Sequence, residues 1–190
     1  MVKGLAYYLR LAWRKPDNDT LKKRMVVWRH EEASVVVDKP LRLDRARALG
    51  YRAKKGFVVI RARVARGGHK RTRPNKGRRS KRLTNRKNLK MSYKWIAENR
   101  VAKSYKNLEV LNSYQVGKDG QHYFFEVICV DPSKAEIAND PKINFICKGQ
   151  NQNRPERGIT SAGRKSRGLK SKHPTSKVRP SVRAGGRLGK

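Results

Sequence analysis

Residues 108–130 read LEVLNSYQVGKDGQHYFFEVICV, two apolar-rich runs joined by a turn. Leu108–Val116 and His122–Val130 are rich in the β-branched and aromatic residues that suit a pleated surface. The connection Gly117-Lys118-Asp119-Gly120 has hairpin chemistry. Apolar residues fall on both alternating faces of each run, as in the interior of a sheet. The stretch therefore predicts two adjacent antiparallel strands.

Working outward, Phe57–Ala65 also alternates. Val58, Ile60, Ala62 and Val64 share one face and Arg61 and Arg63 the other, which predicts a strand with an apolar and a basic side. Ile143–Cys147 reads as one more short strand. Helices are predicted at residues 3–14, where Leu5, Tyr8, Leu9, Ala12 and Trp13 make one apolar face, and at Leu21–Ala33. Asn18-Asp19-Thr20 matches the glycosylation triplet, but without export signals it reads as a helix start. Leu41–Leu49 is a short helix with Gly50 as its stop, and Leu89–Lys103 a longer one. Asp131-Pro132 starts another, with Pro at its first position. The expected fold class is α+β: a small antiparallel sheet packed with helices, plus long basic extensions that order on a partner. No internal repeat is present. The expected organisation is one domain over 1–150, with an internal basic loop at about 66–88, and a basic Gly/Ser-rich tail over 151–190 that has no fold of its own beyond residue 157.

Charge is distributed very unevenly. Between Asp44 and Glu98 there is no acidic residue, while that interval holds 20 Lys or Arg. Residues 157–190 hold 11 Lys or Arg, six Gly, five Ser and no acid. These two blocks supply 31 of the formal net charge of +35. Self-repulsion of that size opposes compaction unless a polyanion neutralises it. A solvated charged face mixes signs, whereas these blocks exclude acids. The segment HKRTRPNKGRRSKR, residues 69–82, has no large apolar residue and reads as a loop ordered by its partner. Nucleic acid is the indicated partner. No zinc-finger spacing, zipper or clear helix-turn-helix appears, and irregular basic extensions suit folded RNA.

Other classes find little support. The longest apolar runs, such as Val35–Val37, are far shorter than a membrane span. The N-terminal apolar stretch is broken by Arg10 and Arg14 and does not resemble a signal peptide. Cys129 and Cys147 sit among apolar neighbours and read as buried small hydrophobes. No paired Cys/His spacing suggests a metal, and no cofactor is expected. His30, His69, His122 and His173 are scattered. No phosphate loop or nucleophile elbow is present, so no catalytic residue is nominated. The glycine pairs Gly117/Gly120 and Gly186/Gly189 match a nucleic-acid clamp only in spacing; the first lies between strands.

Three stretches together resemble a known family: ALGYRAKKGFVVIRARVARGGHKR at Ala48–Arg71, LEVLNSYQVGKDG with FFEVICVDP within Leu108–Pro132, and RGITSAGRKSRGL at Arg157–Leu169. They are similar to ribosomal protein fifteen of the archaeal and eukaryotic large subunit, a family unrelated to the bacterial protein of that number. The helix ending in AWRKP fits it too. The family commonly has tryptophan where this chain has Gln115, and an acid where it has Lys118. The resemblance implies a non-enzymatic structural constituent of the large ribosomal subunit in the cytoplasmic ribosome. It implies large-subunit ribosomal RNA and neighbouring ribosomal proteins as partners, without a membrane or a homo-oligomer. The implied RNA contacts are Arg52, Lys54 and Lys55, then Arg61, Arg63 and Arg66. Lys70, Arg71, Arg73, Lys76, Arg78, Arg79, Lys81 and Arg82 follow in the loop, and Arg164, Lys165, Arg167 and Lys170 in the tail. The alternative reading is a non-ribosomal RNA-binding chaperone or nucleoid-like protein, which needs the charge but not the three stretches.

Overall fold

The expected hairpin forms β3 (Glu109–Lys118) and β4 (His122–Val130), paired antiparallel. The computed structural model describes residues 3–68 and 91–170. Before the hairpin come α1 (Leu5–Ala12), α2 (Asn18–His30), β1 (Ser34–Val37), α3 (Leu43–Ala48), β2 (Phe57–Ala65) and α4 (Tyr93–Ser104). After it come α5 (Ala135–Ala138), two 3-10 turns (Asn144–Cys147 and Gly149–Asn151) and α6 (Ser161–Ser166). The sheet order is β1-β2-β4-β3, with every neighbouring pair antiparallel. This is the α+β class that the sequence predicts.

Both faces of the sheet are covered. On one face Ile60, Ala62 and Val64 of β2 and Phe125, Val127 and Cys129 of β4 pack against Ala97 and Val101 of α4. On the other, Val59, Phe124, Ile128, Tyr114 and Val116 meet Met25 and Trp28 of α2 and Ala46 of α3. A smaller cluster of Val130, Ile137, Ile143 and Ile146 closes one end. Each fully buried aliphatic or Phe side chain contributes about 1.5–3 kcal/mol. The two-sided alternation in the hairpin is thus the sequence trace of a three-layer arrangement.

Several elements differ from the sequence reading. β1 was not anticipated: SVVV is too short for periodicity to register, and it gains strand character by pairing with β2. α2 begins at Asn18, ahead of the expected Leu21, because the Asp17 carboxylate accepts from the amides of Asp19 and Thr20. The turn of the hairpin is displaced toward Gly120-Gln121, where Asp119 N donates to His122 O at 2.9 Å. Gly117 lies inside β3, opposite Phe124. A Cβ there would sit 3.2 Å from Met25 Sδ, so glycine lets α2 approach the strand. Asp131-Pro132 precedes α5 without entering it; the Asp131 carboxylate accepts from Ser133 N at 3.0 Å. Ile143–Cys147, expected as a strand, is a 3-10 turn that buries Ile146 with no neighbouring strand to pair.

The extensions need the largest correction. Residues 45–55 open the acid-free block, yet Ala46 of α3 and Tyr51 belong to the core. Residues 157–170, expected to lack a fold, are docked on α4. Trp95 Nε1 donates to Pro155 O at 2.6 Å, and Ser92 N to Ser166 Oγ at 3.0 Å. Thr160, fully buried, accepts from Gly163 N at 3.2 Å and donates to Glu98 at 2.6 Å. The remainder of the expected loop and tail lies outside the described residues.

Two buried carboxylates knit these layers. Glu98 of α4 accepts from the hydroxyls of Ser113 on β3 and Thr160. Glu126 of β4 accepts from the Tyr114 hydroxyl and, at 3.1 Å, from the Leu41 amide. Burial pushes both carboxyls above their ordinary values, against their hydrogen bonds. A folded value above the unfolded one gives stability that is complete below about pH 4.3 and lost as pH rises through the folded value. Glu98→Gln stays neutral and escapes that loss. The stability of the variant minus that of the native chain is therefore expected to grow between about pH 5 and about pH 8. Urea unfolding at the two pH values measures it; a difference that shrinks would show Glu98 is favoured as the anion.

Candidate nucleic-acid interface

Most of the acids have partners within the chain, and cations remain in large excess. Ten of the 14 Asp and Glu residues are engaged within the fold. Asp17 caps α2, Glu98 and Glu126 bind buried hydroxyls, and Glu109 accepts from Asn153 N at 3.2 Å. Asp119 pairs with Arg29 at 2.9 Å and Asp140 with Lys54 at 2.6 Å. The lysines and arginines outnumber the acids, 49 to 14, so most cations have no carboxylate to meet.

The nominated RNA-contact residues divide by environment. Arg52, Lys55, Arg66, Arg164, Lys165 and Lys170 are exposed. Lys54 holds the Glu136 carbonyl at 2.9 Å as well as Asp140, fastening the segment after α3 to α5. Arg61 pairs with Glu31 and lies 4.9 Å above the Trp28 ring. Arg63 donates to the Arg29 carbonyl. The basic side of β2 is therefore covered by α2, and only part of each guanidinium reaches solvent. Arg66 donates to Asp119 O at 2.7 Å, bracing the hairpin turn, and stands 5.4 Å over Tyr123. Arg167 donates to Gly158 O at 3.1 Å and Lys170 to Ser161 Oγ at 2.6 Å. Lys70, Arg71, Arg73, Lys76, Arg78, Arg79, Lys81 and Arg82 lie outside the described residues.

Other cations gather where charge counting along the chain could not show them. Arg10, Arg14, Arg42 and Arg45, with Trp13 and Asp44, line a cleft of about 410 Å³ between α1 and α3. Arg42 stacks 5.0 Å over Trp13. Arg10, Arg14 and Arg42 precede the acid-free block and Arg45 opens it; the four meet because α1 packs on α3. The sequence signal that could have found them is the AWRKP end of the first helix. Among the described residues no cluster of His, Cys, Asp and Glu could hold a metal ion, and no helix is long and apolar enough to cross a membrane.

A family model described as Ribosomal L15 matches residues 4–185. The chain belongs to the Ribosomal L15 family. Three curated relatives carry the name large ribosomal subunit protein eL15. One from Thermoplasma volcanium is 54% identical over 90% of this chain and 87% of its own length. One from Methanospirillum hungatei is 48% identical over 97% of each. One from Methanocella arvoryzae is 45% identical over the whole of both. The Ribosomal L15 match takes in α1, the docked α6 segment and the basic block between β2 and α4. It agrees with the family that the three sequence stretches resemble, and it is a family of ribosomal proteins, not of enzymes.

The docking of the α6 segment rests on a close glycine contact. A Cβ on Gly163 would fall 2.7 Å from Gly158 Cα and 2.8 Å from its carbonyl carbon, and Gly158 itself has φ +65°. Gly163→Ala would gain about 1 kcal/mol from helix propensity but lose about 1–3 kcal/mol to overpacking against rigid backbone. Packing is expected to win. Trypsin should cut the variant faster after Arg157 and Arg164 than it cuts the native chain. Slower cutting would mean that propensity dominates and that α6 does not touch Gly158 in solution.

Proposed function

We propose that this chain is a structural constituent of the large ribosomal subunit. It binds and stabilises folded large-subunit ribosomal RNA by neutralising phosphate at many points. The observation that carries the reading is membership of the Ribosomal L15 family over residues 4–185. It is supported by the excess of 49 cations over 14 acids, which leaves most cations for an external polyanion. The exposed Arg52, Lys55, Arg164, Lys165 and Lys170 can meet phosphate directly. Arg61, Arg63, Arg66 and Arg167 are anchored by the fold and present their charge from fixed positions, whereas Lys54 is committed to Asp140 and the Glu136 carbonyl. The segment from Lys70 to Arg82 adds the densest charge. Its partners are the large-subunit RNA and neighbouring ribosomal proteins; it acts as one copy, without self-association, in the cytoplasmic ribosome.

The test is stoichiometry. Large subunits washed in high salt should retain the chain at one copy each, measured by quantitative mass spectrometry. Recovery in the free pool, or at scattered copy number on bulk RNA, would instead favour a chaperone or nucleoid-like protein.

A further inference from the structure

The structure holds a second cleft, of about 480 Å³, between α3, the first turn of α4 and the outer edge of β3. That volume lies within the roughly 300–1,000 Å³ of small-ligand sites. We propose that this cleft captures a single unpaired nucleotide of the bound RNA, with its base against an aromatic wall and its phosphate among converging cations. The proposal deepens the RNA-binding reading and rests on it.

The wall is built from near-parallel rings. Tyr93 of α4 and Tyr123 of β4 stack with centroids 4.7 Å apart and planes 23° apart. Tyr123 and Phe125 follow at 6.1 Å and 22°. Tyr123, in the middle, is faced by Tyr93 and Phe125; Tyr93, the half-buried end ring that lines the cleft, offers π-surface to a flat partner, and base–aromatic stacking tolerates any base. Gln115, exposed on β3 at the same cleft, adds one amide donor and one acceptor for a base edge.

The rim is built from three cations. Arg42, Arg45 and Lys94 line the cleft. Burial pushes the Lys94 ammonium below its ordinary value; Glu98 opposes this, while Arg45, Lys170 and Lys165 add to the lowering. Glu98 is fully buried and already bonded to Ser113 and Thr160. Arg42 pairs with Asp44 at 3.6 Å, while its Nε has no hydrogen-bond partner among the described residues. Cations from the starts of α3 and α4 thus meet at one opening, which favours an anion there. The amino-terminal turn of α4 lies at the same place and adds its partial positive charge. An acidic peptide would satisfy the cations but not the ring column. Duplex RNA keeps its bases stacked inside, so an extruded nucleotide meets both demands.

The test uses the full chain and two probes of equal phosphate count. One is a single-stranded oligoribonucleotide of about 10 nucleotides; the other is its abasic counterpart. The base-bearing strand should bind about tenfold or more tightly than the abasic one. Tyr93→Leu should erase that preference, and Tyr93→Phe should keep it. Arg45→Ala with Lys94→Ala should weaken both strands alike. Equal affinity of the native chain for the two strands would overturn the proposal, and needs no variant to fold. A preference that survives Tyr93→Leu would overturn it as well. So would displacement of the strand by oligoglutamate as readily as by RNA of equal charge, which would assign the cleft to an acidic protein segment. If the cleft alone is misread, binding to ribosomal RNA persists; loss of binding to every RNA would instead overturn the RNA-binding reading.

Discussion

Ile60→Asp is expected to abolish cooperative unfolding of this domain, leaving no thermal transition by circular dichroism. Ile60 is wholly buried at the centre of β2, opposite Val36 of β1 and Val127 of β4. It shares its cluster with Ala97 and Val101 of α4. The substitution removes about 1.5–3 kcal/mol of apolar burial. It also places a carboxylate where the surrounding cluster is apolar; Arg61, the adjacent cation, points to the opposite face. That charge costs several kcal/mol more, or forces the group to protonate. The total approaches the whole stability of a small domain, about 5–15 kcal/mol. Ile60→Val is the control and should cost only about 0.5–1.5 kcal/mol. A native-like melt for Ile60→Asp would mean that the faces of β2 are reversed. Arg61 replacements must be read with care beside it. The sequence presents Arg61 and Arg63 as a bare basic side, but α2 covers them. Arg61→Ala loses the Trp28 stack and the Glu31 pair as well as any RNA contact.

What the sequence made legible follows from the range of the forces involved. β2 and β4 were readable to the residue, because alternation of apolar side chains is a local signal. α4 and α2 were readable as helices but not at their starts, which depend on the single side chains Ser92 and Asp17. β1 and the Asn144–Cys147 turn were not readable, since their conformations are set by pairing or burial against distant residues. The α6 segment was hidden for a different reason. Its Gly and Ser content imitates a structureless tail, yet Gly158 and Gly163 are there to let two backbones touch, and Thr160 to reach Glu98. The polyanion partner was legible from charge alone. The arrangement of cations was not: Arg10 and Arg42, or Lys94 and Lys165, converge only through helix packing.

Affinity for large-subunit ribosomal RNA is expected to fall very steeply with salt. Each phosphate neutralised releases counterions and contributes about −0.7 to −0.9 to the slope of log affinity against log salt, so ten contacts give roughly −7 to −9. The chain has 49 Lys and Arg against 14 acids, so ten contacts is a modest demand. Position within the fold then decides which cations matter. Arg78, Arg79, Lys81 and Arg82 lie in the densest basic block, and neutralising all four should flatten the slope by about 3 units. Lys54→Ala removes a cation whose ammonium is already held by Asp140 and the Glu136 carbonyl. It should leave the slope nearly unchanged and act on stability, by about 1 kcal/mol or less for a partly exposed pair. Filter-binding or fluorescence titrations across a salt series measure both. A slope near −2 for the native chain, or loss of all binding from one substitution, would point to a compact site of a few decisive contacts. Spread-out phosphate neutralisation could not then be the mechanism, because no single cation in such an interface carries more than a small share of the binding.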